Sequence, residues 1–329
     1  MKLNEKGRAQ FKLQQNIIIL IAMIVLVIVF SALNSSFIDQ YNLVSMAQSL
    51  APYAVLSLGV TFVIATGGID LSIGTVCIAS AVVAGKLYTT ETIPLAMTIP
   101  VMCGIGLLIG LVNGLLIAKA KVPNFIATLG TMMFARGFSA LLVSDPNIFF
   151  PTNTWYNKLF SNANGIPTGI IWVLFFMVIC MYIMYKNKVG RYILAIGSNE
   201  EATRLSGINT DKYKIIAYVI SGLAAGIAGI FWSASFPTVA AATGNGMELD
   251  AIAGVYIGGT SAAGGVASVS GSVIGAALLV VIRNGLNMAL ARFNLNLNST
   301  YVTYVLTGII VVVAVLMDII KTNRASKKA

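Results

Sequence analysis

The chain has 329 residues, 57% of them apolar and 10% charged, with 21 Lys and Arg against 11 Asp and Glu for a formal net charge of +10. A mean hydropathy of +0.88 and a charged fraction far below the roughly 25% of soluble domains exclude both a soluble enzyme and a disordered chain. The bilayer is part of this chain's solvent, and its apolar and glycine content sets a ceiling near eleven spans of about 20 residues each.

In chain order, apolar runs fall at 17–33, 52–66, 71–87, 94–118 and 125–143 and then, after a polar stretch, at 168–185, 215–234, 249–256, 269–282 and 301–317. The expectation is an all-α integral membrane protein: a single transmembrane domain, 1–329, with about ten transmembrane helices. The first run has the length of a span, and 31–36 offers no small-residue cleavage site, so it is read as a helix rather than a secretory signal. An even number of spans puts both ends on one side. The N-terminal arm, 1–16, carries Lys2, Lys6, Arg8 and Lys12, and the tail, 319–329, carries Lys321, Arg324, Lys327 and Lys328; the positive-inside rule places both in the cytoplasm. The same threading puts Lys119, Lys121, Lys186, Lys188, Arg191, Arg204, Lys212 and Lys214 inside. Orientation and contact with anionic membrane lipid then account for the positive charge, and nucleic acid is not needed as a partner.

The chain contains no histidine, which removes His zinc sites, Ser-His-Asp triads and His proton relays. Cys77, Cys103 and Cys180 stand apart in apolar runs with no ligand or redox spacing and read as small core residues. No metal site and no catalysis are expected of this chain.

Two loops are informative. The stretch 144–167 is rich in Asn, Pro and Ser and holds Trp155 and Tyr156, the pattern of an external loop with interfacial aromatic anchors. The stretch 186–214 is cytoplasmic and sets Glu200, Glu201 and Asp211 beside six bases. Within it, Ser198 or Asn199 is a good N-cap, the acids follow in the first turn where the helix dipole favours them, and Gly207 suits a C-terminal stop. A helix of about two turns is predicted. It is too short to cross a membrane and marginal in water, so it needs a surface to lie on, either its own bundle or another chain.

Between the second and third runs, Thr66-Gly67-Gly68-Ile69-Asp70-Leu71-Ser72-Ile73-Gly74 should interrupt helix. Irregular backbone at membrane depth is tolerated only inside protein or along a polar cavity. Asp70 is an intramembrane acid and so a functional candidate, with capping or ion pairing as the plainer role. A second break, Ile257 to Gly265 with Gly258, Gly259, Thr260 and Ser261, follows Glu248-Leu249-Asp250, and paired interruptions point to a binding or gating region in transporters. Gly106 and Gly110, Gly222 and Gly226, and Gly271 and Gly275 have G-x-x-x-G spacing, which close helix packing alone explains. Asn113, Asn124, Thr128, Arg136, Asn284 and Asn287 are polar groups that suit the lining of a route, but they form no chain of acids of the kind a proton pump displays. No G-x-x-x-x-G-K-[ST] loop is present, so any ATP is bound elsewhere.

The segments GGIDLSIG (67–74), KVPNFIATLG (121–130), GRYILAIGSNEEATRLSGI (190–208), ELDAIAGVYIGGTSAAGG (248–265) and NGLNM (284–288), together and in order, resemble the permease subunit of bacterial ABC importers for ribose, xylose, galactose and related sugars. The resemblance runs along nearly the whole chain. It implies a second permease copy, identical or a paralogue, a cytoplasmic ATPase with two cassettes that binds ATP and Mg, an extracytoplasmic sugar-binding protein, and a bacterial plasma membrane location. It matches Asn199, Glu200, Glu201, Ala202, Thr203, Arg204, Leu205, Ser206 and Gly207 to the cytoplasmic coupling helix that docks into the ATPase. For the sugar path or its gate the candidates are Gly67, Gly68, Asp70, Ser72, Asn113, Asn124, Phe125, Thr128, Gly258, Gly259, Thr260 and Ser261. Ala267 stands where the family often has glycine. Two other classes remain open at this point, an ion-coupled secondary transporter and a passive channel; within the ABC class, import of a nucleoside or signalling sugar is a further alternative.

Overall fold

A computed structural model describes residues 5–143 and 147–293, and scattered positions between 301 and 316. The described chain is mostly helical. The helices are α1 (Glu5–Leu33), α2 (Gln40–Ala65), α3 (Ile73–Thr89), α4 (Thr98–Ala118), α5 (Asn124–Leu142), α6 (Trp155–Phe160), α7 (Thr168–Tyr185), α8 (Lys188–Ser198), α9 (Glu200–Leu205), α10 (Thr210–Ser235), α11 (Met247–Ile257) and α12 (Val269–Arg292). Two short strands, β1 (Asn147–Phe149) and β2 (Thr238–Ala240), pair antiparallel with Ile148 opposite Val239 and tie together the loops after α5 and α10.

Among the described residues, seven helices are long and apolar enough to cross a membrane: α1, α2, α4, α5, α7, α10 and α12, with α3 a shorter apolar helix of 17 residues. The sequence-based count of ten is therefore not reproduced by these residues. Its eighth run, 249–256, is the 11-residue α11, which at about 1.5 Å per residue reaches only about half of a hydrocarbon core. The tenth run, 301–317, and the tail, 319–329, lie largely outside the described residues. Helix α1 begins at Glu5, within the stretch 1–16 read as the N-terminal arm.

Two other helices are longer than their apolar runs, for one reason. The span expected to start at Pro52 starts at Gln40, and the one expected to end at Ile282 continues to Arg292. The polar residues that blunted both runs find partners across the bundle. Asn42 and Asn284 exchange amide bonds of 3.0 and 2.9 Å, and Gln48 Nε2 donates to Ser161 Oγ at 2.8 Å. A half-buried amide with its partner in place costs little in a helix interior.

The core lies where α10 packs on α2, α3 and α4. Gly106 and Gly110 on α4 meet Gly222 on α10, where a Cβ at Gly110 would stand 3.1 Å from the Gly222 Cα. The small-residue spacing therefore serves close packing, the use that lets helices attract each other where no hydrophobic force separates lipid from side chain. At the periphery, α1 and α5 leave Ile18, Ile24, Ile28, Phe125, Phe134 and Leu141 exposed, as expected of faces meant for lipid or a partner helix.

Candidate functional site

The end of the bundle that holds the α2–α3 connection also holds α8 and α9. Asn187 caps α8 through a 3.0 Å bond from Val189 N, and Asn199 caps α9 through a 2.9 Å bond from Ala202 N. Of the two cap candidates, Ser198 instead ends α8, its hydroxyl donating back to Leu194 O at 2.9 Å. Helix α9 has six residues, with Glu200 and Glu201 in its first turn and Arg204 in its last. The chain leaves it through Gly207 at φ +81°, a left-handed conformation that glycine adopts without strain.

Charge fixes this short helix to its neighbour. Lys214 Nζ on α10 lies 2.6 Å from Glu200 Oε2, and Asp211 receives Lys121 at 2.8 Å and Lys119 at 3.5 Å, so the turn between α4 and α5 is clamped to the start of α10. Thr203 is the buried residue of α9, whereas Glu201, Arg204 and Leu205 face outward, Leu205 with 84% of its surface exposed. A six-residue helix held from behind thus presents a leucine flanked by both signs of charge.

Behind α9 lies a backbone junction that the sequence reading did not foresee. Gly265 N donates to Ala65 O at 3.0 Å, joining the second glycine break to the end of α2. A Cβ at Gly264 would come within 2.7 Å of Gly67 N and 3.0 Å of the Gly197 Cα, and one at Gly197 would collide with Ala65 O and Gly265 N. The end of α8 and both breaks therefore touch backbone to backbone, with Gly67 and Gly264 both at φ +82°. Only the spatial meeting of three distant segments reveals the role of Gly197, which lies in an amphipathic run with no local oddity.

The first break, 66–72, is non-helical and filled with satisfied polar groups. Asp70 is 1% exposed. Its Oδ1 accepts from Ser72 N at 2.9 Å and Ser72 Oγ at 2.6 Å, and its Oδ2 accepts from Ser221 Oγ at 2.7 Å. From Ser72 the chain of bonds continues: Asn113 Nδ2 donates to Ser72 Oγ at 2.9 Å, and Thr131 Oγ1 donates to Asn113 Oδ1 at 2.7 Å. Tyr218 OH donates to Ile69 O at 3.3 Å. Asp70 thus bonds the break directly to α10, and Ser72 and Asn113 extend the link to α4 and α5.

The other sequence candidates divide between these surroundings and the surface. Thr128 is buried and donates to Asn124 O at 2.9 Å, Asn124 is half-buried beside Gly68, and Phe125 is exposed on α5. In the second break, Thr260 is buried and its hydroxyl accepts from Ser268 N at 3.0 Å, while Ser261 N donates to Val266 O at 3.1 Å; Gly258 packs on Gly271 at the start of α12. The structure brings together Gly67, Gly68, Asp70, Ser72, Asn113 and Asn124, and places Gly258 against Gly271 at the α11–α12 contact.

The residues that sequence reasoning missed are Ser221 and Thr131, which complete the Asp70 network, and the ion pair of Asp250 with Arg283, which joins α11 to α12. Tyr53 accepts from Arg283 Nη1 at 2.9 Å, and the guanidinium lies 5.3 Å from the Tyr53 ring centre. Acids near the start of a short helix and a lone arginine in an apolar run were visible signals; their pairing was not.

The structure is thus a multi-pass bundle with broken helices at one end and a small charged helix beside the breaks. The chain belongs to the family described as branched-chain amino acid transport system / permease component, whose pattern matches residues 42–315. It is 37% identical to the ribose import permease protein RbsC of Escherichia coli K12 over 306 residues, 91% of this chain and 92% of that protein. It is 36% identical to RbsC of Bacillus subtilis 168 over 302 residues, 91% of each chain, and 29% identical to the xylose transport system permease protein XylH of E. coli K12 over 369 aligned positions, 93% and 92% of the two chains. No solved structure matches the chain.

Proposed function

We propose that this chain is the pore-forming subunit of an ATP-driven importer of a monosaccharide of the ribose, xylose or galactose type. It works in the inner membrane of a bacterium, paired with a second permease copy or a related one, with both termini cytoplasmic. The whole chain, 1–329, acts as one transmembrane domain, with 186–214 as its coupling loop. A separate ATPase with two cassettes hydrolyses ATP with Mg, and an extracytoplasmic binding protein delivers the sugar. This chain contributes no catalytic residue and binds no cofactor. The curated relatives named for ribose and xylose import support the substrate class.

The observation that carries the reading is α9. Residues Asn199 to Gly207 form a capped turn anchored by the Glu200–Lys214 pair, with Glu201, Arg204 and Leu205 turned outward. Such a rigid knob transmits the closing of an ATPase dimer, which a flexible loop would absorb. Its motion reaches the glycine breaks through the Gly197 junction, and the breaks gate the inner end of the sugar path. Joint replacement of Glu201 and Gly207 by alanine and valine tests this. Association with the ATPase and sugar uptake should both fall while membrane insertion persists; unchanged uptake would remove α9 from the coupling role.

A further inference from the structure

The corner between α7 and α8 gathers cations that no acid answers. Lys186, Lys188 and Arg191 are all exposed, and among the described residues none of the three forms an ion pair, in contrast to Lys119, Lys121 and Lys214. Arg191 Nη1 donates to Lys186 O at 3.2 Å, which keeps the guanidinium at the corner. Lys188 and Arg191 lie three residues apart and share one face of α8, while Gly190, Ile193 and Ile196 are turned into the bundle. The acids of α9 follow the far end of α8, whose 11 residues span about 16 Å, roughly two Debye lengths at physiological salt. The depth of the corner follows from α7. Its Ile171, Leu174, Val178 and Tyr182 are exposed and form one stripe at the spacing of a helix face. Lys186 N bonds to Tyr182 O at 2.9 Å, so the helical register carries that stripe on to Lys186. With 18 residues, α7 is about 27 Å long, close to a hydrocarbon thickness. Lys186 therefore stands at headgroup depth, with Tyr182 as its interfacial aromatic neighbour.

We propose that Lys186, Lys188 and Arg191 form a binding site for the phosphate headgroup of an anionic lipid, and that this lipid steadies the coupling loop. The stripe on α7 decides the occupant. A surface that runs from exposed apolar residues into three cations meets acyl chain and then phosphate, in the order in which one phospholipid presents them; a cytoplasmic protein would meet only the cations. Arginine matches phosphate through its fork of N–H groups, and the two lysines add mobile point charges. The repulsion among three like charges within 186–191 falls when a phosphate stands between them. The corner also reaches the glycine junction from both ends of α8. Before α8, Tyr185 OH donates to Ala267 O at 3.1 Å and accepts from Val269 N at 3.1 Å, just beyond the second break. At its other end, Gly197 packs on Ala65 and Gly265, and α9 follows. A lipid at the corner thus holds α8 from outside while the two breaks hold it from within. Headgroup binding stands on these residues alone; its effect on uptake rests on the importer reading above.

The test has two readouts. In the first, the full-length permease in detergent is titrated with phosphatidylglycerol or phosphatidylcholine and its bound lipids are counted by native mass spectrometry. The unaltered chain should bind phosphatidylglycerol more tightly. Joint Lys186→Gln, Lys188→Gln and Arg191→Gln should weaken that binding by about fivefold for each charge removed and leave phosphatidylcholine unchanged. Joint Lys186→Arg and Lys188→Arg keeps the charge and should bind as the unaltered chain does, which separates charge from folding. Equal phosphatidylglycerol affinity in the unaltered and neutralised chains overturns the site. So does loss of ATPase association by the neutralised chain in phosphatidylcholine alone, which would assign the cations to the ATPase. The second readout is ATP-driven uptake in proteoliposomes with the ATPase and loaded binding protein. Uptake by the unaltered chain should rise severalfold when phosphatidylglycerol joins phosphatidylcholine, and the neutralised chain should stay at its phosphatidylcholine rate. No rise in the unaltered chain, or an equal rise in both, overturns the steadying role. Absence of ATP-driven uptake in either lipid overturns the importer reading instead, and the titration still decides the site.

Discussion

Asp70 stands inside a hydrogen-bonded chain whose members come from four parts of the sequence and which runs Ser221, Asp70, Ser72, Asn113, Thr131. Replacing it by alanine leaves the Ser221 hydroxyl, and the Ser72 donors, buried without their acceptor. Asp70→Ala is expected to cost about 3 kcal/mol, read as a lower thermal midpoint of the detergent-solubilised protein, and Asp70→Asn should cost less because one carbonyl oxygen still accepts. A midpoint unchanged in both variants would contradict the anchoring role. At this scale local chemistry was legible where it is local. Asn199 caps α9 and Gly207 ends it because a side-chain oxygen and a left-handed glycine satisfy groups within a few residues of themselves. Asp250 and Arg283 were not legible as a pair, since 33 positions of apolar chain separate two charges that meet only after α11 and α12 have packed.

Elements follow the same logic with a different failure. Helix α2 was read as starting at Pro52 and α12 as stopping at Ile282 because Asn42, Gln48, Arg283 and Asn284 look like loop residues when hydropathy alone is weighed; tertiary partners make them helical. Glycine shows the same dependence on context. Gly130 lies on an open face of α5 with nothing within 4 Å of an added Cβ, whereas Gly197 has backbone on two sides. Gly130→Ala is therefore expected to leave stability unchanged or raise it by up to about 1 kcal/mol. Gly197→Ala should cost about 1–3 kcal/mol through overpacking. Thermal unfolding of the two variants side by side checks the contrast, and equal midpoints would mean that the α8 junction is not tightly packed.

For the molecule as a whole, composition alone identified a membrane protein, and the runs at 17–33, 94–118, 125–143 and 168–185 correspond closely to α1, α4, α5 and α7. The break at 66–72 was legible because two glycines and an acid interrupt apolar sequence. Its contact with α8 was not, because backbone-to-backbone packing leaves no pattern in side-chain polarity. The proposed reading sets the motor on another polypeptide, and the bundle offers it a charged helix with a glycine junction behind. The measurement that tests this most directly is sugar accumulation by proteoliposomes containing the purified permease. With the ATPase, the loaded binding protein and ATP, sugar should accumulate against its gradient; with the permease alone, under either a sugar gradient or an ion gradient, it should not. Concentrative uptake by the permease alone would contradict the account.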